Sequence, residues 1–378
     1  MKEFSVSLKE KLRRIDYILV LAVIGMTSLS ILTLLGDTAT SGGMRRVVMQ
    51  CAVSLIGLIF AFIISLFDYD ELLRRFFLPI FGLSVFIMLI TVIFGEGYRE
   101  DSTNRCWLFI PFLPFGIQPS EFVKILFILT FAKHIDIVKK KINHPLEVLS
   151  LLIHAGIIIG MVLLTGDLGS ALVFMAVMAV MLFTGGLSLW YFAAAALIVA
   201  VAFPYIWPHL ELYQQNRILA GFNPEIDPTD VGYQALRSRA AIAAGGFRGA
   251  GIYGGSYYKL VPAHETDFFF AMMAEKFGFF GAFIYMLMMI VLILRLLYLA
   301  RHARKDCGAN ICIGVCAIMI AQTVENIGMC LGMLPVVGIT LPFLSYGGSS
   351  MLASFIYIGV VESVATHNQK YYFERERA

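Results

Sequence analysis

The sequence predicts an all-α polytopic membrane protein with about ten transmembrane helices, both termini cytoplasmic and one large extracytoplasmic loop. Three observations predict it. The 378 residues are 59% hydrophobic and only 15% charged, whereas soluble domains are about 45–50% apolar and about 25% charged. The mean hydropathy is +0.81. The apolar residues also gather into runs close to the roughly 17–25 residues that cross a ~30 Å hydrocarbon core. This composition excludes an ordinary soluble enzyme, a disordered chain and, at a net charge of +3, a nucleic-acid binder carried by a basic face. Six cysteines without paired spacing outside the apolar runs are not a disulfide framework.

The runs fall at residues 17–35, 47–67, 76–94, 107–131, 148–164, 171–184, 187–207, 268–299, 311–334 and 341–365. The sixth is short and is followed by Gly185-Gly186, so eight or nine spans is the alternative count. The first run is too long for a signal peptide and lacks a small-residue cleavage site. Placing the N-terminus inside puts 18 of the 29 Lys and Arg on the inner face, as the positive-inside bias requires. Trp107, Trp190 and Trp207 then fall at span ends, where interfacial aromatic residues belong.

Residues 208–267 form the long polar segment between spans seven and eight, on the outer face. Loops beyond about 12–15 residues are usually functional or disordered. This one carries a helix signal from Tyr233 to Ala244, stopped by Gly245-Gly246, and is expected to be a folded outer domain instead of a floppy linker. It supplies Arg217, Arg237, Arg239, Arg248 and Lys259, cations suited to lipid phosphates or simply to a solvated face. The run Gly249-Ala250-Gly251-Ile252-Tyr253-Gly254 matches a dinucleotide fingerprint but opens no βαβ unit.

Asp267 sits where this loop enters the eighth span, beside Phe268-Phe269-Phe270. It reads either as a helix cap or as a carboxylate withdrawn from water and therefore a better general base. Charges inside spans are costly and mark candidate sites: Glu121 with Lys124, Asp167, Glu275 with Lys276, and Glu325. Their bland alternatives are register-fixing ion pairs and, for Asp167, another helix cap. The seven His form no evident metal triad.

Several segments carry a family resemblance together. They are Trp107 with Gln118-Pro119-Ser120-Glu121-Phe122-Val123-Lys124, Gly166-Asp167-Leu168-Gly169-Ser170, and Tyr213-Gln214-Gln215-Asn216-Arg217-Ile218. Then come Asn223-Pro224-Glu225-Ile226-Asp227-Pro228, Gly232-Tyr233-Gln234, Thr266-Asp267-Phe268, and Leu334-Pro335-Val336-Val337-Gly338 through Leu341-Pro342-Phe343-Leu344-Ser345-Tyr346-Gly347-Gly348-Ser349-Ser350. In this order, across nearly the whole chain, they resemble the SEDS family (shape, elongation, division and sporulation), which includes RodA and FtsW. The Tyr213 and Asn223 segments resemble RodA more.

The resemblance implies a single membrane domain acting as an inverting peptidoglycan glycosyltransferase in the bacterial cytoplasmic membrane. It would polymerise lipid II into undecaprenyl-linked glycan at the outer face. It also implies a class B penicillin-binding protein as partner, further elongation or division proteins, and no nucleic acid. Asp267 corresponds to the family's catalytic Asp. Substrate contacts are expected from Arg217 first, then Lys124 oriented by Glu121, then Lys259, with Trp107, Gln118, Tyr213, Gln234 and Ser345 in the matching segments. A divalent cation, Mg2+ or Mn2+, would share the leaving-group charge, although no ligand cluster in the sequence shows one. A flippase for the lipid-linked precursor and a non-catalytic scaffold for the transpeptidase are the alternatives. The chain departs from the family at three places: Glu265 stands where His often precedes Thr-Asp, Lys276 stands where a second Glu often follows, and Cys106 separates Arg105 from Trp107.

Overall fold

The computed structural model describes residues 15–38, 42–97, 104–109, 116–209, 212–228 and 232–367. Among them, nine helices are long and apolar enough to cross a membrane. They are α1 (Tyr17–Leu35), α2 (Gly43–Ser65), α3 (Tyr69–Phe94), α5 (Pro145–Leu164), α6 (Leu168–Gly185), α7 (Leu189–Ile206), α10 (Phe269–His302), α11 (Asp306–Cys330) and α12 (Gly348–Thr366). A further one, α4 (Pro119–Val138), has spanning length but carries Glu121, Lys124, Lys133 and Asp136. Two shorter helices, α8 (Leu212–Phe222) and α9 (Tyr233–Gly245), lie between α7 and α10.

Local chemistry sets these boundaries. Asp16 caps α1 by accepting from the amides of Ile18 and Leu19, at 3.2 and 3.3 Å. Asp167 caps α6 by accepting from Ser170 at 2.9 Å, so the capping reading of Asp167 describes its backbone role. Such caps are worth about 1 kcal/mol each. Pro119 and Pro145 occupy the first positions of α4 and α5, where a missing N–H costs nothing.

Two expected spans are corrected. The run at 107–131 is not helical throughout: Trp107 bridges Glu96, Leu108 bridges Ile117, and the helix starts only at Pro119. Residues 110–115 of that expectation lie outside the described residues. Trp107 therefore sits in a short paired loop instead of at a span end, whereas Trp190 and Trp207 do flank α7. The last span begins at Gly348, not 341, because Pro342 and the positive φ of Phe343 (58°) keep the preceding segment out of helix.

Inside lipid, helices associate through close packing of small residues and buried polar contacts. Gly57 lies against the Phe355 ring, and Gly359 against the Ala61 backbone, so α12 seats along α2. No residue of α7 is buried, which leaves its apolar surface facing outward. Strict up-and-down alternation puts the C-terminal ends of α1, α3, α5, α7 and α11 at the same end as the N-terminal ends of α2, α4, α6, α10 and α12. The polar residues of interest converge at that end.

Candidate functional site

Asp267 lies one residue before the N-cap of α10, which is Phe268. The cap position itself is therefore not Asp267's. The backbone around it is clamped from two other elements. Asn326 on α11, fully buried, donates from Nδ2 to the carbonyls of Asp267 and Ile339, each at 2.6 Å. Ser345 donates to the Thr266 carbonyl at 2.6 Å and accepts from the Leu341 amide at 2.9 Å. Tyr346 donates its amide to the Glu265 carbonyl at 3.0 Å. The half-buried carboxylate faces Gly338, where a Cβ would come 3.4 Å from Oδ2. Gly338 has φ +74°, so the backbone approaches Asp267 through a conformation that glycine tolerates best.

The same loop joins the second polar group. Val337 packs against Gly169 at the start of α6. Beside it, Asp167 accepts from the Gln118 amide at 2.9 Å and from Ser120 at 3.4 Å, while Ser349 accepts from the Gln118 backbone at 3.2 Å. One turn further along α4, Lys124 pairs with Glu121 at 2.6 Å, both nearly inaccessible. Tyr357 donates to the Glu121 carbonyl at 3.1 Å. Burial pushes the Cys106 thiol up to about 12, with the Asp167 charge adding to it.

The third group closes the other flank. Asp37, after α1, accepts from Tyr258 at 2.9 Å and pairs with Arg46 at 3.1 Å; Arg46 also pairs with Glu265 at 3.0 Å. Burial, then the Asp37 carboxylate, push the Tyr258 phenol above its ordinary range, which keeps it a donor. Glu275 accepts three consecutive amides, from Ser256, Tyr257 and Tyr258, at 2.8, 3.0 and 2.5 Å. Lys276 donates to the carbonyls of Gly36 and Ile252, at 2.9 and 3.0 Å, and to Tyr258 at 3.3 Å. These two in-span charges thus fasten the outer segment and the α1 end onto α10. Gly249 and Gly278, both at positive φ, allow that backbone contact. The glycine-rich run therefore serves close backbone packing against α10.

Of the other expected substrate residues, Gln234 is half-buried on α9. Lys259 is exposed, its ammonium 5.8 Å from the Tyr258 ring centre. Tyr213 and Arg217 are on α8, and their side chains lie outside the described residues. Asp37, Arg46 and Tyr258 escaped the sequence reading; the signal that marks the first two is a polar turn between spans on the same side as the long loop. Two cavities lie away from this site. One of about 310 Å³ is lined by Lys139, Arg301 and Asp306 at the opposite end, and one of about 430 Å³ adjoins Arg237 and Tyr233 on α9. Neither is lined by Asp267, and the site is identified by the convergence of its polar groups.

Comparison with known proteins identifies the family and the fold. Residues 11–370 match the FtsW/RodA/SpoVE family, described as cell cycle proteins. The chain is 31% identical over 364 residues to the probable peptidoglycan glycosyltransferase FtsW of Trichlorobacter lovleyi, covering 94% of each. It is 33% identical over 288 residues to the peptidoglycan glycosyltransferase MrdB of Escherichia coli K12, covering 75% of this chain and 76% of that one. Among solved structures, a chain from a peptidoglycan synthase complex that coordinates polymerization and crosslinking superposes with a TM-score of 0.81 at 27% identity, covering 94% and 99%. The rod shape determining protein RodA of Thermus thermophilus shares the fold, with a TM-score of 0.69 at 24% identity over 94% and 98%. The chain belongs to the FtsW/RodA/SpoVE family of cell cycle proteins.

Proposed function

We propose that the protein is an inverting peptidoglycan glycosyltransferase that polymerises lipid II at the outer face of the cytoplasmic membrane. The observation that carries this reading is Asp267, fixed at the polar end of the bundle by Asn326 and Ser345 in a chain 33% identical to a peptidoglycan glycosyltransferase. In the reaction, the acceptor sugar's 4-hydroxyl attacks the anomeric carbon of the lipid-linked donor. Asp267 takes the hydroxyl proton, the new glycosidic C–O bond forms, and the anomeric C–O bond to the lipid pyrophosphate breaks. General-base help of this kind is worth about 10²–10⁴ in rate.

Stabilising the departing pyrophosphate is the larger task. Arg217, Lys124 and Lys259 are the cations assigned to it, with Glu121 orienting Lys124 at 2.6 Å. Trp107, Gln118, Tyr213, Gln234 and Ser345 complete the substrate-facing set, Ser345 by shaping the Asp267 turn. A Mg2+ or Mn2+ ion would add positive charge there. In this reading both termini are cytoplasmic, residues 208–267 cover the site from outside and exclude water, and the exposed flank of α7 gives polyprenyl tails a lipid-facing surface.

The segments at Tyr213 and Asn223 favour a role in elongation and cell shape over division. A class B penicillin-binding protein is the proposed partner, in line with the synthase-complex chain that this fold matches. Labelled lipid II tests the reading: glycan strands formed in detergent, where no sidedness exists, mark a polymerase. Translocation in vesicles without polymer would mark a flippase, and neither activity, with the partner present, a scaffold. Rescue of an elongation-depleted strain but not of a division-depleted one would assign the role.

A further inference from the structure

The structure gathers His264, Glu265 and Asp37 at one point, although the last is 227 positions away from the first. One ligand atom from each lies within 4.8 Å of the others. Asp37 is 1% exposed, and its Oδ1 is held by the Tyr258 hydroxyl at 2.9 Å, which leaves Oδ2 turned to His264 and Arg46.

The imidazole fixes the chemistry. His264 Nδ1 faces the Val261 carbonyl at 3.0 Å. A carbonyl only accepts, so Nδ1 carries a proton, and in the neutral ring it is Nε2 that presents a lone pair. That Nε2 is buried without a hydrogen-bond partner. It stands 3.9 Å from Asp37 Oδ2 and 3.7 Å from Glu265 Oε1, too far for a hydrogen bond to either. Two carboxylate oxygens and a ring nitrogen facing one another need a cation among them; the Arg46 guanidinium meets the two oxygens, at 3.1 and 3.0 Å, and leaves Nε2 unserved. Bonds of about 2.0–2.2 Å to a central ion put ligand atoms about 3–3.6 Å apart, so the two His264 separations close by a few tenths of an ångström and the two carboxylate oxygens, within 4.8 Å of each other, draw in around the ion. The backbone carbonyl on Nδ1 is the kind of outer partner that orients a metal-binding imidazole.

We propose that Asp37, His264 and Glu265 form a site for a first-row divalent cation of the Mn2+–Zn2+ class. One imidazole with two carboxylates favours these ions over Mg2+ and Ca2+, which prefer all-oxygen shells, and over Cu(I), which prefers sulfur. Arg46 is the site's competitor: its two terminal nitrogens lie 3.1 and 3.0 Å from the same carboxylate oxygens. A bound metal replaces that guanidinium at Oδ2 and Oε1. Its role, though not its existence, rests on the glycosyltransferase reading: with His264 and Glu265 two and three positions before Asp267, the ion adds positive charge beside the reacting sugars.

The test is Mn2+ binding to the purified full-length chain in detergent, followed by electron paramagnetic resonance without any lipid substrate. Wild type should bind one Mn2+ per chain, displaced by Zn2+ but not by equal Mg2+. His264→Gln and Glu265→Gln should each weaken binding tenfold or more, the range typical of lost metal-site partners. Arg46→Gln should tighten it, a gain that misfolding cannot imitate. Absence of saturable Mn2+ binding in wild type and Arg46→Gln alike, or unchanged binding in His264→Gln, would overturn the proposal. Because no lipid II is present, that failure is separate from any failure of the glycosyltransferase reading.

Discussion

Asn326 holds two carbonyls at once, those of Asp267 and Ile339, each 2.6 Å from a single amide nitrogen. An amide NH₂ has two protons, so both bonds form together. They tie the carboxylate-bearing turn to the loop that carries Gly338, and they do so from a residue with no exposure. Asn326→Asp replaces both donors with an acceptor facing two carbonyls. We expect at least a tenfold loss of turnover together with lowered thermal stability, since each unsatisfied buried group costs about 1–3 kcal/mol. Parallel polymerisation and thermal-unfolding assays in detergent check this; unchanged turnover would remove Asn326 from the positioning role.

Gly338 gives a more selective probe. Alanine there must adopt φ near +74° and places its Cβ 3.4 Å from Asp267 Oδ2. The backbone penalty is about 1–2 kcal/mol. Turnover should fall more than substrate affinity, because the disturbed atom is the proton acceptor. A change confined to KM would contradict this.

The Glu121–Lys124 pair is nearly sealed from solvent. Removing one partner strands a buried charge, at a cost of about 3–5 kcal/mol. Glu121→Gln or Lys124→Met alone should therefore lower the unfolding temperature more than the double variant does. If Lys124 also meets the pyrophosphate, the double variant should be folded and inactive. A folded, fully active double variant would assign the pair to stability alone.

Much of the architecture was legible because lipid imposes a length on each helix. The first run and α1 share the bounds Tyr17–Leu35, and α7 ends within two residues of expectation at both ends. Hydropathy misled where apolar residues are not helical: Trp107 lies in a bridge, and Leu341 precedes a turn containing Pro342 and Phe343. The site was legible only in its local parts. Asp267, Glu121 with Lys124, and Asp167 announce themselves as charges at or within spans. The Asp37–Arg46–Glu265 network has no sequence signature, because its members come from opposite parts of the chain and meet through tertiary packing.

The orientation has a direct chemical test. Tyr253 is 81% exposed on the long loop, and Lys140 is exposed at the far end of α4. In cells, a membrane-impermeant maleimide should label Tyr253→Cys at once and Lys140→Cys only after permeabilisation. Cys106 adds little background, because it is buried and burial pushes its thiol well above the ordinary range, away from the reactive thiolate. The reverse labelling pattern would invert the topology and place the site on the wrong face for outer-leaflet chemistry.

The central claim is that Asp267 is the base of a glycan polymerase, and the most direct measurement is polymerisation of labelled lipid II by wild type and Asp267→Asn in detergent. The substitution keeps the side chain's size and the backbone clamps from Asn326 and Ser345. Wild type should yield long glycan strands, and Asp267→Asn none above a rate reduced about 10²–10⁴-fold, with the unfolding temperature unchanged. Equal strand formation by both proteins would contradict the assignment of Asp267.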